Sequence, residues 1–488
     1  MFPPEFEPYE QPVEEPRRSA FKNCLMVLIS MVMIVALLGS AVFGAIYILR
    51  DRAAARAVSD TSNPLIPTLA ANPRPSATDV PAETTSDDQP TPVPLPPLLP
   101  GERINRIVYV ATDGRVATIA PDGSDGRFLT EADQRYLFPL WSPTSNDVAV
   151  IGADLTGSSV YLLHDDGGDT APTQLYFNER NAPIYMYWSP NGRHLGFITN
   201  HPTGGIGLHI ATPGESDQSR LLTLGQPFYW NWTADAQQLL IHTGVTGHGR
   251  LSLIDVDGDG EGDDIAAPGA FQSPGISVDG RYWAYAEEIG DDSYLVVADT
   301  ASGDLQRQAH QGQVALSWSP TVNQLAFISG ESDSGSFYGS LRLLDAATGE
   351  IESLSRGNVL AFFWSPDGRS LAYFAFGSGR DTEIQALNRQ RLGKPVQQRQ
   401  LQIQLFVVDV TTGEGLQLAS FSPTLPFLTQ FLPFFDQYAL SHRLWSPDSD
   451  ALVLPMLVDD ESRVFVVPVG GGQARQIANG RMAFWSQR

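Results

Sequence analysis

The chain has 488 residues, of which 42% are hydrophobic, and a formal net charge of −24 at pH 7. This much hydrophobic sequence suffices for a large core, and the length exceeds that of one compact two-layer domain. The acidic charge argues against nucleic acid and anionic lipid headgroups as partners. The single cysteine, Cys24, excludes an intrachain disulfide.

The N-terminal part of the chain predicts a tail, a membrane helix and a linker. Residues 1–23 are acidic, proline-rich and too poor in apolar side chains to fold. Residues 24–49 carry no charge, and as a helix they would span about 39 Å, enough to cross a hydrocarbon core of ~30 Å. This run is too long for a cleaved signal peptide, so we expect an uncleaved signal anchor. Residues 50–102 form a linker whose proline-dense end favours polyproline II.

The orientation of this helix is not decided by its flanking charges. Three basic residues precede it and three follow it: Arg17, Arg18 and Lys22, then Arg50, Arg52 and Arg56. A short N-terminal tail stays in the cytoplasm more easily than a domain as large as residues 103–488. We therefore expect a single-pass protein of the cell membrane with the large domain outside the cytoplasm.

One sequence motif, called here the Trp-Ser-Pro phrase, recurs through residues 103–488. It consists of Trp-Ser-Pro, a polar turn and an alternating apolar run. Seven of the nine tryptophans occupy its first position. Successive copies mostly start 40 to 47 residues apart, which is the period of a four-stranded propeller blade. Copies start at Trp141, Trp188, Trp232, Trp318, Trp364 and Trp445, a degenerate copy starts at Ile276, and a clipped copy starts at Trp485.

The copy that begins at Trp364 shows how one repeat predicts four strands. The first strand ends at Trp-Ser-Pro, and Asp367-Gly368 predicts a two-residue turn into the alternating second strand SLAYFA. The third strand is LQIQLFVVDV and the fourth is LQLAS. Glycine, asparagine and aspartate recur at the first turn because they tolerate a positive φ.

The two ends of the repeat region complement each other. The residues before Trp141 supply three strands without a first strand, and the C-terminal MAFWSQR supplies a first strand alone. Pairing them closes a ring without an open edge. The sequence therefore predicts an all-β fold: an eight-bladed β-propeller of four-stranded blades closed by the C-terminal strand, preceded by one transmembrane helix. Seven blades are expected if the copy at Ile276 does not form a full blade.

The repeated W-S-P followed by D-G or N-G resembles the repeats of the TolB-type β-propeller family over residues 103–488. Such repeats also occur as regulatory propellers in some serine peptidases. The resemblance implies the fold and leaves the function open, because this fold serves many roles. We expect no counterpart of the small N-terminal domain of TolB here, and a membrane anchor in its place.

An Asp-rich turn, DVDGDGEGD, predicts a calcium site. It matches the loop D-x-D-x-D-G-x-x-D of integrin-type propellers, and alternate carboxylates on a tight turn can converge on one hard cation. The alternative is an ordinary Asp-Gly turn between the third and fourth strands, although crowded carboxylates repel one another without a cation. The expected Ca²⁺ ligands are Asp255, Asp257, Asp259 and Asp263, with the backbone oxygen of Glu261.

Two insertions lengthen the repeat that begins at Trp364 to 81 residues. Residues 377–400 are basic, residues 422–442 are aromatic, and both are expected on one face of the propeller. Adjacent cationic and apolar loops indicate a recognition surface, whereas the alternative is a segment that plugs or covers the ring. The predicted surface comprises Arg380, Arg391, Lys394, Phe427, Phe431, Phe434, Phe435 and Tyr438.

No nucleophile elbow, zinc-protease motif or P-loop occurs in the sequence. We therefore predict a non-catalytic, extracytoplasmic module that binds a protein, an envelope polymer or another ligand. One alternative is a propeller-class enzyme acting on a glycan or lactone at the central channel, and another is a regulatory propeller for a separate peptidase. Convergent carboxylates or histidines with a metal at the channel mouth favour the enzyme, whereas an apolar mouth favours binding.

Overall fold

The computed structural model describes residues 105–488, without 133, 168–169, 203, 216–218, 245–247, 270–271, 331–338, 356, 358 and 377–400. The chain divides into two units, Met1–Pro67 and Thr68–Arg488, and every described residue belongs to the second. The predicted tail, membrane helix and linker lie outside the described residues. Among the residues that are described, no helix has both the length and the apolar character needed to cross a bilayer.

Antiparallel strands make up most of the described chain, and the first fifteen belong to four-stranded sheets. The first three are β1 (Ile107–Ala111), β2 (Val116–Ile119) and β3 (Arg127–Phe128). The second sheet contains β4 (Arg135–Trp141), β5 (Asp147–Ala153), β6 (Ser158–His164) and β7 (Thr173–Asn178). The third contains β8 (Pro183–Trp188), β9 (Leu195–Asn200), β10 (Ile206–Ala211) and β11 (Ser219–Gly225). The fourth contains β12 (Phe228–Trp232), β13 (Gln238–Thr243), β14 (Arg250–Asp255) and β15 (Gly262–Ala266).

Two larger sheets of seven strands follow. In the first, β19 is 14 residues long and ends one four-strand unit while beginning the next. Its strands are β16 (Gly275–Ile276), β17 (Tyr282–Ile289), β18 (Asp292–Asp299), β19 (Leu305–Trp318), β20 (Gln324–Gly330), β21 (Arg342–Asp345) and β22 (Ile351–Ser353). The second contains β23 (Val359–Trp364), β24 (Ser370–Phe376), β25 (Ile403–Asp409), β26 (Gly415–Pro423), β27 (Ala451–Val458), β28 (Glu461–Pro468) and β29 (Arg475–Ala478).

The last strand, β30 (Gly480–Trp485), pairs with the first. It lies antiparallel to β1, with Ile107 opposite Trp485 and Val110 opposite Met482. The backbone N–H of Asn105 also donates to the carbonyl oxygen of Arg488 at 2.9 Å. The predicted pairing of the C-terminal strand with the first three strands is therefore confirmed.

One helical segment interrupts the strands between β26 and β27. A π-helical turn, Phe427–Phe431, continues into a 3₁₀ turn, Leu432–Phe434, and then into helix α1, Phe435–Ser441. This segment corresponds to the aromatic insertion of the sequence analysis.

The second strand of a sheet is buried on both faces because neighbouring sheets cover it. In β5, every residue from Val148 to Ile151 is buried, although side chains alternate between the two faces of a strand. In β9, Leu195 to Thr199 are likewise buried. In the sequence, such strands appear as continuous apolar runs, as expected for a sheet packed on both sides.

The serine of the Trp-Ser-Pro phrase fixes the turn that follows it. The Ser365 hydroxyl donates to Asp367 at 2.6 Å and accepts from the backbone N–H of Ser370 at 2.9 Å. Ser277 makes the equivalent pair of bonds in the degenerate copy. A backbone bond from Ser365 N–H to the Ser370 carbonyl leaves four residues in the loop, and Gly368 takes a φ of 69°. The loop thus has four residues instead of the predicted two, and the Ser365 hydroxyl links its two ends by bonding to Asp367 and Ser370.

The tryptophan of each repeat packs on the sheet before its own. The Trp232 indole donates to the backbone oxygen of Tyr187, and a Cβ added to Gly196 would lie 3.3 Å from its ring. In the degenerate copy, Ile276 replaces the indole and packs in one cluster with Leu240, which stands where the preceding repeat has Gly196. A smaller first residue and a larger partner conserve volume, so this copy still forms a packed sheet.

Candidate functional site: a filled channel with a neutral pocket

Residues 422–442, called here the channel segment, lie where the first strands of several sheets meet. Phenol rings and phenyl rings from this segment contact first strands on different sides of the molecule. The ring centroids of Tyr438 and Phe138 on β4 are 5.0 Å apart, and those of Phe435 and Phe362 on β23 are 5.1 Å apart. Phe431 lies 5.3 Å from Phe484 on β30. The segment therefore fills the centre around which the sheets are arranged.

Polar bonds anchor helix α1 at this position. The Gln437 side chain bonds both backbone groups of Trp230 on β12, accepting at 3.1 Å and donating at 3.0 Å. The Tyr185 hydroxyl on β8 lies 2.8 Å from the Gln437 carbonyl oxygen and 2.8 Å from the Ser441 hydroxyl. These buried bonds need exact side-chain placement, so they fix the helix along and around its axis.

Four of the five aromatic residues predicted to meet a partner are buried. Phe427 and Phe431 are fully inaccessible, and Phe435 and Tyr438 expose 3% and 6% of their surface. Phe434 alone is exposed, at 41%. A side chain without accessible surface offers nothing to a partner, so these four belong to the protein core, and the plug alternative describes the segment.

The basic residues of the predicted surface are not placed by the structure. Arg380, Arg391 and Lys394 fall in residues 377–400, which lie outside the described residues. The basic half of the recognition surface stays a prediction.

Burial in the channel shifts the pKa values of an acidic and a basic side chain in opposite directions. Burial raises the pKa of Asp436, whose carboxylate accepts from the backbone N–H of Ser273 at 2.9 Å. Burial lowers the pKa of His442 to about 3, and its ring lies 4.4 Å from the ring of Phe484. Both shifts favour the uncharged form, as expected in a site of low polarity.

The Asp-rich turn joins β14 to β15 and contacts the neighbouring sheet. The Arg220 guanidinium on β11 donates to the backbone oxygens of Val256 and Gly258. A Cβ at Gly260 would collide with the carbonyl oxygen of Leu222, so the turn packs directly against β11. Arg220 thus brings a positive charge to the turn.

The expected calcium ligands Asp255, Asp257, Asp259, Glu261 and Asp263 all fall in the described turn. The Asp255 carboxylate accepts from the Gln238 side chain at 2.7 Å, and Asp259 accepts from the backbone N–H of Glu261 at 3.1 Å. Among the described residues, no three acidic, histidine or cysteine side chains gather as metal ligands would. Calcium binding at this turn stays a prediction.

A pocket of about 180 Å³ remains beside the channel segment. It lies among the ends of the first strands of four successive units, and Leu440 of helix α1 forms part of its wall. No charged side chain lines it within the described part of the chain. Its polar side chains are Tyr187, Asn231, Ser273, Ser317, Trp318 and Ser319.

This pocket was not predicted from the sequence, because its lining residues come from four repeats and from helix α1. Tyr187, Asn231, Gly275 and Ser317 all stand immediately before the first position of their repeat. Reading that position down the aligned copies would have gathered these four residues. The contribution of Leu440 required the path of the channel segment.

Antiparallel four-strand units around a filled centre define this protein as a β-propeller whose channel is occupied by its own chain. Neither protein-family models nor curated protein sequences gave a match. Solved structures that resemble it include TolB from Acinetobacter baumannii. The two sequences are 17% identical, the match covers 53% of this chain and 65% of that chain, and the TM-score is 0.35. An oligogalacturonate lyase in complex with manganese is 12% identical over 76% of this chain and 83% of that one, with a TM-score of 0.42.

The dihydro-heme d1 dehydrogenase NirN, in complex with DHE, has a TM-score of 0.50 at 12% identity, over 80% of this chain and 77% of that chain. Identities of this size indicate a shared fold and nothing about ligands. A shared fold of this kind does not choose between catalysis and binding.

Proposed function

We propose that this chain is a non-catalytic binding propeller, anchored in the cell membrane by residues 24–49 and displayed outside the cytoplasm. Its partner is a protein or an envelope polymer, met at the surface that Phe434 and the basic residues 377–400 would form and at the neutral pocket.

The filling of the channel carries this proposal. An enzyme of this fold would assemble its site from residues of several blades facing an open channel. Here the channel segment covers those strands with phenyl rings, and the Asp436 carboxylate is buried beneath them. The space that remains is lined by apolar and uncharged polar residues in the described chain, which suits recognition of a ligand better than proton transfer.

We further propose that the ring has eight blades. The seven-strand sheets β16–β22 and β23–β29 each divide into two units, because β19 and β26 each join consecutive units. The first strand of the last unit is reduced to a bridge between Trp445 and Leu452. With the sheet closed by β30 and the three sheets from β4 to β15, these units number eight.

The proposed location is tested by labelling from outside. In a variant with Cys24→Ser and Leu155→Cys, the new thiol stands at a fully exposed loop position. A membrane-impermeant maleimide should label it in intact cells. Labelling that appears only after the cytoplasmic membrane is permeabilised would place the propeller inside.

The proposed binding role is tested by photo-crosslinking in cells. A photoreactive amino acid at Phe434 should trap a discrete adduct, and the same group at exposed Leu155 is the matched control. No adduct specific to position 434 would contradict a partner at this surface. Turnover of a glycan or lactone by the purified full-length protein would instead support the enzyme.

A further inference from the structure

Two arginines stand at the beginnings of neighbouring first strands, where the ring closes. Arg135 is the first residue of β4 and Arg481 is the second residue of β30, and these two strands lie side by side. The Arg481 guanidinium donates to the carbonyl oxygen of Thr112, in the turn between β1 and β2, at 2.6 Å. A Cβ at Gly114 of the same turn would lie 3.9 Å from the carbonyl oxygen of Gln134. Because Gln134 directly precedes Arg135, the two arginines flank this one turn.

Arg135 has no carboxylate partner within the described chain. The residue is exposed, and its side chain makes no hydrogen bond or ion pair there. Partial burial of its charge, and next the positive charge of Arg481, lower the pKa of Arg135. By contrast, carboxylates raise the pKa values of Arg281 and Arg307, at distances of 2.7 Å and 2.6 Å. In a chain with 55 acidic and 31 basic residues, an arginine whose charged neighbour is a second arginine indicates a place for an external anion.

The acidic side chain of the turn itself is already paired. The Asp113 carboxylate accepts from Nε of Arg115 at 2.8 Å and lies 2.7 Å from its Nη2. The Arg115 guanidinium also lies 3.4 Å from the centre of the Phe128 ring. Asp113 and Arg115 therefore compensate each other, and the turn adds no net negative charge beside Arg135.

Two guanidinium groups beside one exposed turn suit an anion with several oxygens. The paired N–H groups of one arginine can satisfy both oxygens of a carboxylate, which leaves the second arginine unmatched. A phosphate group has at least three acceptor oxygens and a charge of about −1.5 to −2 at pH 7. Its geometry and charge therefore match two arginines better than a carboxylate does.

We propose that Arg135 and Arg481 bind a phosphate group at this turn, either as free phosphate or as an ester within an envelope polymer. Arg135 contributes its paired N–H groups, and Arg481, held by its bond to Thr112, adds a second positive charge. The net charge of −24 repels anions at long range, so binding depends on direct contact with these two side chains. This assignment goes beyond the proposed binding function, because it involves neither Phe434 nor residues 377–400.

The test is calorimetry on the full-length protein in an uncharged detergent at constant ionic strength. Inorganic phosphate is compared with acetate and with a short poly(glycerol phosphate). We expect the phosphate probes to bind at least tenfold tighter than acetate. Equal affinity per phosphate group for both probes indicates free phosphate as the ligand, whereas a polymer that binds more than tenfold tighter indicates an envelope polymer.

Three variants tie the binding to this turn. Arg135→Gln removes a side chain that bonds nothing in the described protein, so it should preserve the melting temperature and weaken phosphate binding about tenfold. Arg135→Lys keeps the charge but loses the paired N–H groups, so its affinity should be intermediate. Arg193→Gln is the matched control, since it removes one positive charge from an exposed turn at the opposite end of the first strands and should leave binding unchanged.

The proposal is overturned if neither inorganic phosphate nor the polymer binds, if acetate binds equally well, or if Arg193→Gln weakens binding as much as Arg135→Gln does. A cross-linked adduct at Phe434 together with failed phosphate binding would overturn this assignment and leave the proposed binding function standing.

Discussion

At the scale of single residues, side chains buried in the channel control how stability depends on pH. His442 packs among aromatic rings, and its Nδ1 lies 2.7 Å from the Ser441 hydroxyl. Burial lowers its pKa from 6.5 to about 3. The folded protein therefore binds this proton more weakly than the unfolded chain does.

We expect the free energy of unfolding to decrease as the pH falls below neutral. Because the folded pKa is depressed, the full stability exists above pH 6.5 and is lost as the pH falls towards 3. At pH 5 the loss from His442 is about 2 kcal/mol. His242 adds to the same trend, since burial lowers its pKa to about 4.

Denaturant unfolding at pH 7 and pH 5 measures this effect. His442→Gln should flatten the pH dependence, and the matched variant His248→Gln, at an exposed position, should leave it unchanged. A wild-type protein of equal stability at both pH values would contradict the prediction.

At the scale of elements, the channel segment contains both buried residues that stabilise the fold and an exposed residue, Phe434, that is available for recognition. Phe431 is fully buried against Phe363 and Phe484, so Phe431→Ala should lower the free energy of unfolding by about 3–5 kcal/mol. Phe434→Ala, three residues away and exposed, should change it by less than about 0.5 kcal/mol. Equal effects measured by denaturant unfolding would show that the segment does not fill the channel.

Strand β30 closes the ring by joining residues far apart in sequence. Deleting residues 482–488 removes most of it and leaves β1 with an unpaired edge. We expect the truncated protein to aggregate and to lose cooperative thermal unfolding. A truncated protein that melts at the wild-type midpoint would show that closure contributes nothing to stability.

The Asp-rich turn gives a third prediction at this scale. If Ca²⁺ binds it, stabilisation should grow with free calcium and reach about 2.7 kcal/mol at a hundredfold excess over Kd. Sites of this kind bind at roughly 10⁻⁴–10⁻³ M, so millimolar calcium should raise the melting temperature more than magnesium does. The double variant Asp257→Asn and Asp259→Asn should lose this response while keeping the calcium-free fold. Identical melting in chelator and in calcium would leave Arg220 as the partner of the turn.

At the scale of the whole molecule, contacts between distant parts of residues 105–488 hold the propeller together. Strand β30 pairs with β1, and the channel segment is bonded to first strands around the ring. The fragment 103–488 should therefore melt within a few degrees of the full-length protein. A much lower midpoint for the fragment would show that the N-terminal residues support the propeller.

The repeat let the sequence determine the strand units, the closing strand and the packing role of tryptophan and serine. These depend on local patterns: period-two alternation, turn residues and the spacing of copies, each visible in the residues themselves. The predicted loop at Asp367-Gly368 came out two residues too short, because a side-chain bond from Ser365 widens the turn.

The tertiary structure alone decided what the aromatic insertion does and where the pocket lies. A run such as FLTQFLPFF has the same composition on a surface and in a channel, and only packing against Phe138, Phe362 and Phe484 buries it. The pocket combines one position from several repeats with Leu440, residues that are far apart in sequence. Sequence periodicity fixes neighbours within and between strands, whereas a site made of distant segments exists only once the ring has closed around them.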